Sequence, residues 1–370
     1  MNTTQLLNIA AFPSANSNVR RKISSIFDTV AITSGTTFYN PFQTAPGNIF
    51  LRNQKFPLSG QQLFWVTSVS MFLAQAINTP ALYAALLPGL QSSNIELLID
   101  SKQYFKMPLI ECLSFNIQNQ VGVTGSTQVY KVNPVTRNKN LIIPVFINAA
   151  SNVVVNLNLD SAFATAFNSN NLLISLNGIL TDALDASLNY NPVQGNNLQD
   201  IAYTMYDTQQ ITTANANTFN FFSTPETNPN NYNKILPLSS TERFELQALE
   251  VFIGGNAGTT DNFNDVFNQR STNFLNISVD DVVYHQSQLK DYLSIMTNNN
   301  NGKFGDDASP AVTTEINATQ LIYQNKTLEI PVILPAQGKV SVTIQQPGSS
   351  LNQNEYITLM LKGLIKRQVN

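Results

Sequence analysis

The chain has 370 residues, which is enough for two ordinary domains or one unusually large one. Hydrophobic residues make up 43% of it and charged residues only 12%, about half of the ~25% that is usual in soluble domains. This composition predicts a folded protein with a neutral polar surface that packs against its own copies, and the net charge of −3 excludes a general attraction to nucleic acid.

The N-terminal segment, residues 1–19, is predicted to be an arm. Its opening sequence MNTTQLLNIAAF lacks a positively charged start and a long apolar stretch, so we expect no export signal. The arm leads into the basic cluster Arg20-Arg21-Lys22, and a second basic cluster lies in the tail at Lys362, Lys366 and Arg367. Such runs are usually solvated, and the alternative is a surface that faces a membrane or a genome.

A repeat begins directly after this cluster. FDTVAIT at 27–33 returns as YDTQQIT at 206–212, which places Asp207 179 residues after Asp28. Matches at similar offsets continue to the end of the chain, and they include Phe64 with Phe244 at 180, Tyr104 with Tyr284 at 180, and Gly178 with Gly363 at 185. The repeat predicts two copies of one unit, at 20–185 and 200–370, joined by a polar linker at 186–199.

Within each copy, apolar residues recur at every second position, which is typical of strands with one buried face. The alternation is clearest at 153–159 and 339–344. The other predicted strands are 27–33, 61–73, 95–99, 141–147 and 172–180 in the first copy and 206–212, 241–253, 274–279, 328–334 and 356–365 in the second. The pattern predicts an all-β protein made of two tandem eight-stranded antiparallel jelly rolls with short inserted helices.

One short helix is predicted at the same place in both copies. Leu289, Tyr292, Leu293 and Met296 follow helical spacing, and Pro108 in the first copy stands where a first-turn proline is tolerated. The most apolar window, 76–90, is too short to cross a bilayer. The single Cys112 cannot form an internal disulfide, which fits a reducing cytoplasm.

Candidate chemical groups are few, and each has a structural alternative. His285 is the only histidine, so a metal centre with several histidines is excluded, and its repeat partner is the apolar Phe105. Asp280-Asp281 aligns with Asp100-Ser101, which favours a turn or cap over an acid–base pair. Gly305-Asp306-Asp307 lacks the spacing of a calcium loop. We therefore predict no catalytic site, cofactor or metal.

Aromatic and edge residues supply candidates for contacts with other chains. Phe219, Phe221 and Phe222 lack interleaved basic residues and are predicted to be core or interface. Trp65 follows the inward-facing Phe64, so alternation predicts that it points outward as an interface residue. Val30 and Ala31 are replaced by Gln209 and Gln210 in the second copy, which predicts an edge that one barrel buries and the other exposes.

Taken together, the repeated jelly rolls and the neutral polar surface resemble the double jelly-roll major capsid proteins of tailless icosahedral viruses, from Phe27 to Ile365. With little room for large insertions, the chain is most similar to the coat proteins of small lipid-containing bacteriophages. The resemblance implies a structural protein and not an enzyme, a homotrimer that forms pseudo-hexameric capsomers, and a place in the virion after assembly in the host cytoplasm.

The implied partners are neighbouring capsomers, minor capsid proteins such as a penton, and internal membrane lipids. The family has no short diagnostic motif, so no functional residue is carried across. By analogy, Arg20, Arg21 and Lys22 would face lipid headgroups or genome. Two alternatives stay open: a viral spike or adhesin-type β-sandwich that binds a receptor or carbohydrate, and a polysaccharide-degrading enzyme, which would need an acidic pair in an aromatic groove.

Overall fold

Almost all regular structure in this protein is β-strand, and the strands form two sets with the same topology. The computed structural model describes residues 21–60, 62–74, 80–120, 129–181, 193–194, 198–210, 218–223, 228, 230–254, 273–291, 293–298, 319–322, 326–345 and 356–368. Every strand predicted from the alternation coincides with an observed strand, with boundaries that differ by a few residues except where β1, β7 and β11 start earlier.

The first barrel consists of two packed sheets, with strand orders β1-β9-β3-β7 and β2-β8-β4-β5. Neighbouring strands are antiparallel, and this order is that of a jelly roll. Its strands are β1 (Arg21–Ala31), β2 (Phe38–Tyr39), β3 (Leu63–Leu73), β4 (Asn94–Ile99), β5 (Lys102–Pro108), β6 (Leu113–Gln120), β7 (Val129–Asn148), β8 (Val153–Asn158) and β9 (Asn171–Thr181). Strand β6 extends the first sheet beyond β7.

The second barrel repeats this order strand for strand, as β11-β20-β13-β18 and β12-β19-β14-β15. Its strands are β10 (Val193–Gln194), β11 (Leu198–Gln210), β12 (Thr218–Phe221), β13 (Glu242–Gly254), β14 (Phe274–Val279), β15 (Val282–Gln288), β16 (Leu293–Asn298), β17 (Thr319–Ile322), β18 (Lys326–Leu334), β19 (Val340–Gln345) and β20 (Tyr356–Gln368). The fold is therefore the predicted double jelly roll, and β16 and β17 join the two large sheets through β6.

The predicted division at 20–185 and 200–370 stays a prediction. Strand β10 and the first two residues of β11 lie within the predicted linker, 186–199, and the remainder of that linker is outside the described residues.

A β-bulge in β3 and another in β13 explain why glycine recurs in the repeat. A Cβ atom on Gly178 would lie 1.8 Å from the carbonyl oxygen of Trp65, and one on Gly363 would lie 1.9 Å from that of Glu245. Both glycines therefore allow a neighbouring backbone to approach at the bulge, where any side chain would collide.

The shared aspartates of the two heptapeptides hold the same turn in each barrel. The backbone N–H of Phe42 donates to Asp28 Oδ2 at 2.6 Å, and that of Phe222 donates to Asp207 Oδ2 at 2.6 Å. Both phenylalanines have left-handed backbones, with φ of 67° and 60°. The buried carboxylates accept hydrogen bonds from the backbone N–H groups of these turns, so the shared aspartates stabilise the same feature of the fold in both barrels.

The helix predicted over 289–296 is wrong. A 3₁₀ turn covers Leu289–Asp291 and β16 begins at Leu293, and the counterpart turn Leu109–Glu111 likewise precedes β6. Apolar residues in LSFNIQNQ of β6 also alternate with period two, and pairing with β7 satisfies the backbone. Tertiary strand pairing therefore overrides the helical spacing.

The inserted helices lie elsewhere, in the first barrel. Helix α1 (Pro80–Gln91) packs on helix α2 (Ser161–Ala166) so closely that a Cβ on Gly89 would lie 2.4 Å from the Phe163 ring. The Asp160 carboxylate accepts from the backbone N–H of Ala162 at 2.9 Å and of Phe163 at 3.1 Å, which caps α2.

Candidate functional site at the junction of the two barrels

The two barrels meet where β5 of the first lies against β11 and the loop 230–233 of the second. Side-chain hydrogen bonds join these surfaces: Tyr203 Oη donates to Gln103 Oε1 (2.6 Å), Asn233 Nδ2 to the Lys106 carbonyl oxygen (2.9 Å), and Lys106 Nζ to the Tyr232 carbonyl oxygen (3.5 Å). Asn94 Nδ2, on the neighbouring β4, donates to Asn230 Oδ1 (3.1 Å). The junction also has an apolar part, because Tyr206, Phe252 and Met360 of the second barrel belong to the core cluster of the first. It is therefore a packed interface within one chain.

Four charged side chains meet inside this junction. Glu111 and Lys139 come from the first barrel, and Glu250 and Lys362 come from the second. Lys362 Nζ lies 3.0 Å from Glu111 Oε1 and also contacts Glu250 Oε2, while Lys139 Nζ contacts Glu111 Oε2. Both glutamates are fully buried. The charges balance, so each depends on the others for compensation.

The pKa values of the two lysines in this cluster are shifted in opposite directions. Burial lowers the pKa of Lys139 to about 8, because desolvation outweighs the attraction of Glu111 and the nearby Lys362 ammonium adds repulsion. Burial also disfavours the charged form of Lys362. Its contacts with Glu111 and Glu250 outweigh that cost, and its pKa is raised above the usual lysine value.

The basic tail is not the solvated cluster that its sequence predicts. Lys362 is buried in the ionic cluster. Lys366 Nζ lies 3.2 Å from Glu245 Oε2, and the Arg367 guanidinium lies over the Tyr104 ring of the first barrel at 5.8 Å. Sequence reasoning missed the junction because its partners are more than a hundred residues apart.

Trp65 was predicted to face other chains, and this prediction is wrong for the single chain. Phe64 belongs to the first core and Trp65 does not, as alternation requires. However, Trp65 is only 1% exposed, and its ring packs against that of Phe146 of β7 with 4.7 Å between centroids and a tilt of 46°. The chain covers this outer face itself, so Trp65 offers no surface to a partner.

The Val30-Ala31 edge also differs from its prediction. Val30 is buried and Ala31 is exposed, and in the second barrel Gln209 is likewise buried and Gln210 exposed. Gln209 tolerates the buried position because its Nε2 donates to Asp207 Oδ2 at 3.0 Å. The proposed difference in burial between the barrels is therefore wrong. Val30 is a core residue, and only Ala31 remains a proposed contact residue.

The N-terminal basic cluster lies at one end of the first barrel. Arg20 falls outside the described residues, and the backbones of Arg21 and Lys22 pair with Thr181 and Leu180 at the start of β1. A position facing a membrane or a genome stays a proposal for this cluster.

The acidic pair occupies a hairpin turn, as the repeat predicts. Asp280 and Asp281 connect β14 to β15, and the Lys339 N–H donates to Asp280 Oδ1 at 3.2 Å. In the first barrel the Asn152 N–H donates to Asp100 Oδ1 at 2.9 Å in the same way. The carboxylates therefore fix the turn to the neighbouring loop.

The remaining candidates are structural or lie outside the described residues. His285 is half-buried in β15 and not at the start of a helix. Phe219, Phe221 and Phe222 are buried in the second core. Gly305-Asp306-Asp307 falls outside the described residues. Within the described part of the chain, no group of three or more potential metal ligands occurs, and no helix is long and apolar enough to cross a membrane.

Two exposed apolar surfaces stand out. The apolar loop, Ile49-Phe50-Leu51, has exposed fractions of 70%, 85% and 40%. The apolar strand, Val282-Val283-Tyr284 at the start of β15, has exposed fractions of 58%, 57% and 60%. Clustered exposed apolar residues mark interaction surfaces more often than isolated ones do.

Comparisons with known proteins give a likeness among solved structures. No family model and no curated protein matches the chain. Among solved structures, the crystal structure of the STIV major capsid protein, from an archaeal virus, aligns over 93% of this chain and 96% of that one. The sequence identity is 10% and the TM-score is 0.34. The assignment of the fold therefore rests on the strand order and not on this likeness.

Proposed function

We propose that this protein is the major coat protein of an icosahedral viral shell, in which three copies form a pseudo-hexameric capsomer of six barrels. The observation that carries the proposal is the duplication itself: one chain contains two jelly rolls of identical strand order, fixed to each other by a buried ionic junction. Because each chain contains two similar barrels, the outer edges of a trimer are arranged with nearly sixfold symmetry. Duplication also lets the two barrels diverge, so that each can contact a different neighbour.

The remaining parts of the proposal follow from that role. The chain divides at 20–185 and 200–370, and its partners are neighbouring capsomers, minor proteins such as a penton, and internal membrane lipids. It resides in the virion and assembles in the host cytoplasm, with a small lipid-containing bacteriophage as the expected source.

Electron microscopy of the purified protein tests this function. We expect compact particles with six density lobes around a central axis, and we expect the protein to be the most abundant shell component of virions. Single two-lobed particles that bind sugars would contradict the proposal and favour a spike or adhesin.

The basic cluster supplies a second test. Replacement of Arg20, Arg21 and Lys22 together by glutamine is expected to lower the yield of membrane-containing particles, because anionic headgroups attract basic residues near a bilayer. Replacement of the exposed Lys55 and Lys102 by glutamine is the control and should leave the yield unchanged. An unchanged yield for the triple variant would contradict a membrane-facing role.

A further inference from the structure

Each of the two surfaces that form the junction has an equivalent surface on the other barrel, because the barrels are repeats of one unit. These equivalent surfaces do not contact each other within the described chain. In the junction, the loop 230–233 and β11 of the second barrel lie against β4 and the edge strand β5 of the first. By the repeat, the equivalent elements are the loop 50–53 and β1 of the first barrel and β14 and the edge strand β15 of the second. These equivalent elements carry the apolar loop and the apolar strand.

These equivalent surfaces are more apolar than the surfaces that form the junction. Val282 and Val283 stand where the first barrel has the exposed Lys102 and the junction residue Gln103. Likewise, Phe50, the most exposed large apolar residue of the described chain, stands where the second barrel has the junction residue Asn230. Each exposed surface therefore has an apolar residue at a position where the junction has a polar one.

We propose that the first barrel of one copy packs against the second barrel of the next copy, with the apolar loop over β14 and β1 over the apolar strand, so that contacts between chains repeat the junction within the chain. This inference rests on the proposed trimer and identifies its interface. In the repeated arrangement Phe50 contacts Phe274, as Asn230 contacts Asn94. Edge strands that expose apolar residues promote aggregation unless they are covered, and a second copy covers β15.

A side-chain amide supports the same arrangement. In the second barrel, Asn233 Nδ2 donates both to the Thr204 carbonyl at 2.6 Å and across the junction to the Lys106 carbonyl at 2.9 Å. Its counterpart Asn53 Nδ2 donates to the Ser25 carbonyl at 2.6 Å, and within the described residues it makes only that bond. The second donor hydrogen of Asn53 is thus available for the carbonyl of Gln286, the counterpart of Lys106.

The two surfaces differ from each other, so the contact is head to tail. Each chain carries one apolar loop on its first barrel and one apolar strand on its second. A head-to-tail contact satisfies both surfaces of every copy only when the ring closes. Closure with three chains gives six barrels that meet through six similar junctions, three within chains and three between them.

Disulfide cross-linking tests the interface. In the variant Phe50→Cys/Phe274→Cys, oxidation should produce covalent dimers and trimers on a non-reducing gel. Each single cysteine variant should yield neither, because the native Cys112 is buried. The variant Asn94→Cys/Asn230→Cys is the matched control: it places the pair in the known junction and should form a disulfide without an increase in mass.

The mass of the reduced double variant, measured by light scattering, distinguishes failure of this interface from failure of the proposed trimer. A trimer that does not cross-link while the control pair does would overturn this interface and leave the trimer intact. A monomer at every concentration, for the wild-type protein as well, would overturn the proposed capsomer itself.

A second variant keeps the inference testable if the cysteine pair misfolds. Val283→Lys places a charge in the centre of the apolar strand and is expected to weaken self-association at least tenfold. Ile330→Lys, at a residue that is 81% exposed on β18 and outside both surfaces, should leave self-association unchanged. Equal association of both variants and the wild type would contradict the proposed interface.

Discussion

The two barrels use one architecture, and one pair of equivalent positions on neighbouring strands is neutral in the first barrel and charged in the second. In the first barrel, Asn177 Nδ2 donates to Ser70 Oγ at 3.1 Å, a neutral pair on neighbouring strands. In the second, the repeat places Lys362 and Glu250 at these positions, and both are buried. The charged pair reaches Glu111 of the first barrel, whereas the neutral pair reaches no second barrel within the described chain.

The comparison separates two kinds of residue. Those that the barrels share, such as Gly178 with Gly363 and Asp28 with Asp207, make local contacts that any copy of this jelly roll requires. The differing pair Glu250 and Lys362 lies where the second barrel meets the first. Duplication therefore preserves the local contacts of the fold while this pair serves the junction.

The largest effect is expected from Lys362→Met in the ionic cluster. The change leaves Glu111 and Glu250 buried without the cation they share, and breaking a buried pair in this way costs about 3–5 kcal/mol. Denaturant unfolding at pH 7 measures the loss. The double variant Glu250→Ser/Lys362→Asn installs the neutral pair of the first barrel and should cost less, because Glu111 keeps Lys139. Equal losses for the two variants would contradict the cluster.

The bulge glycines should respond alike in both barrels. Gly178→Ala and Gly363→Ala each force a methyl group against a carbonyl oxygen, and overpacking of this kind costs about 2–3 kcal/mol. Thermal unfolding should show similar losses for the two variants. Gly47→Ala is the control, because a Cβ there meets nothing within 4 Å. A loss in one barrel only would break the proposed equivalence of the bulges.

The shared aspartates should both stabilise the fold, and the contribution of Asp28 should depend on salt. Asp28→Asn and Asp207→Asn each weaken a charge-assisted bond to a backbone N–H, with an expected cost of about 1.5–3 kcal/mol. Asp28 also pairs with Arg52, whose Nε lies 3.0 Å from Asp28 Oδ1. Because salt screens this ion pair, the stability lost in Asp28→Asn should be smaller when unfolding is measured at high salt than at low salt. A loss that does not change with salt would argue against a role for Arg52.

The smallest effect concerns alkaline pH. Because the folded-state pKa of Lys139 is lowered to about 8, the unfolded chain binds more protons between that pH and the usual lysine pKa of 10.5. Lys139 therefore makes stability rise with pH in this window, while the stabilising contribution of Lys362 is lost only above it, because its pKa is raised. Lys139→Arg should remove the rise in stability, and an unchanged pH profile would contradict the assignment.

The sequence predicted the fold because the repeat and the period-two alternation are local signals. Val153, Val155 and Leu157 alternate with polar residues, and the same alternation recurs 187 residues later in β19. The short helix at Leu289 was predicted wrongly because its apolar spacing also fits the turn and strand that sheet pairing imposes.

The junction could not be predicted in the same way. Glu111 and Lys362 are far apart in sequence and become partners only through the packing of two barrels. Trp65 shows the same limit, because alternation indicates the face on which it lies but not that Phe146 and the rest of the chain cover this face. A signal was nevertheless present: Glu250 and Lys362 replace Ser70 and Asn177 in a chain with few charges.

The mass of the purified protein in solution tests the central claim most directly. Light scattering coupled to size exclusion should give about three times the 40.8 kDa of one chain, because both apolar surfaces are satisfied in a closed ring. The mass should fall to that of a single chain in Val283→Lys. A wild-type protein with the mass of one chain at all concentrations would contradict the account.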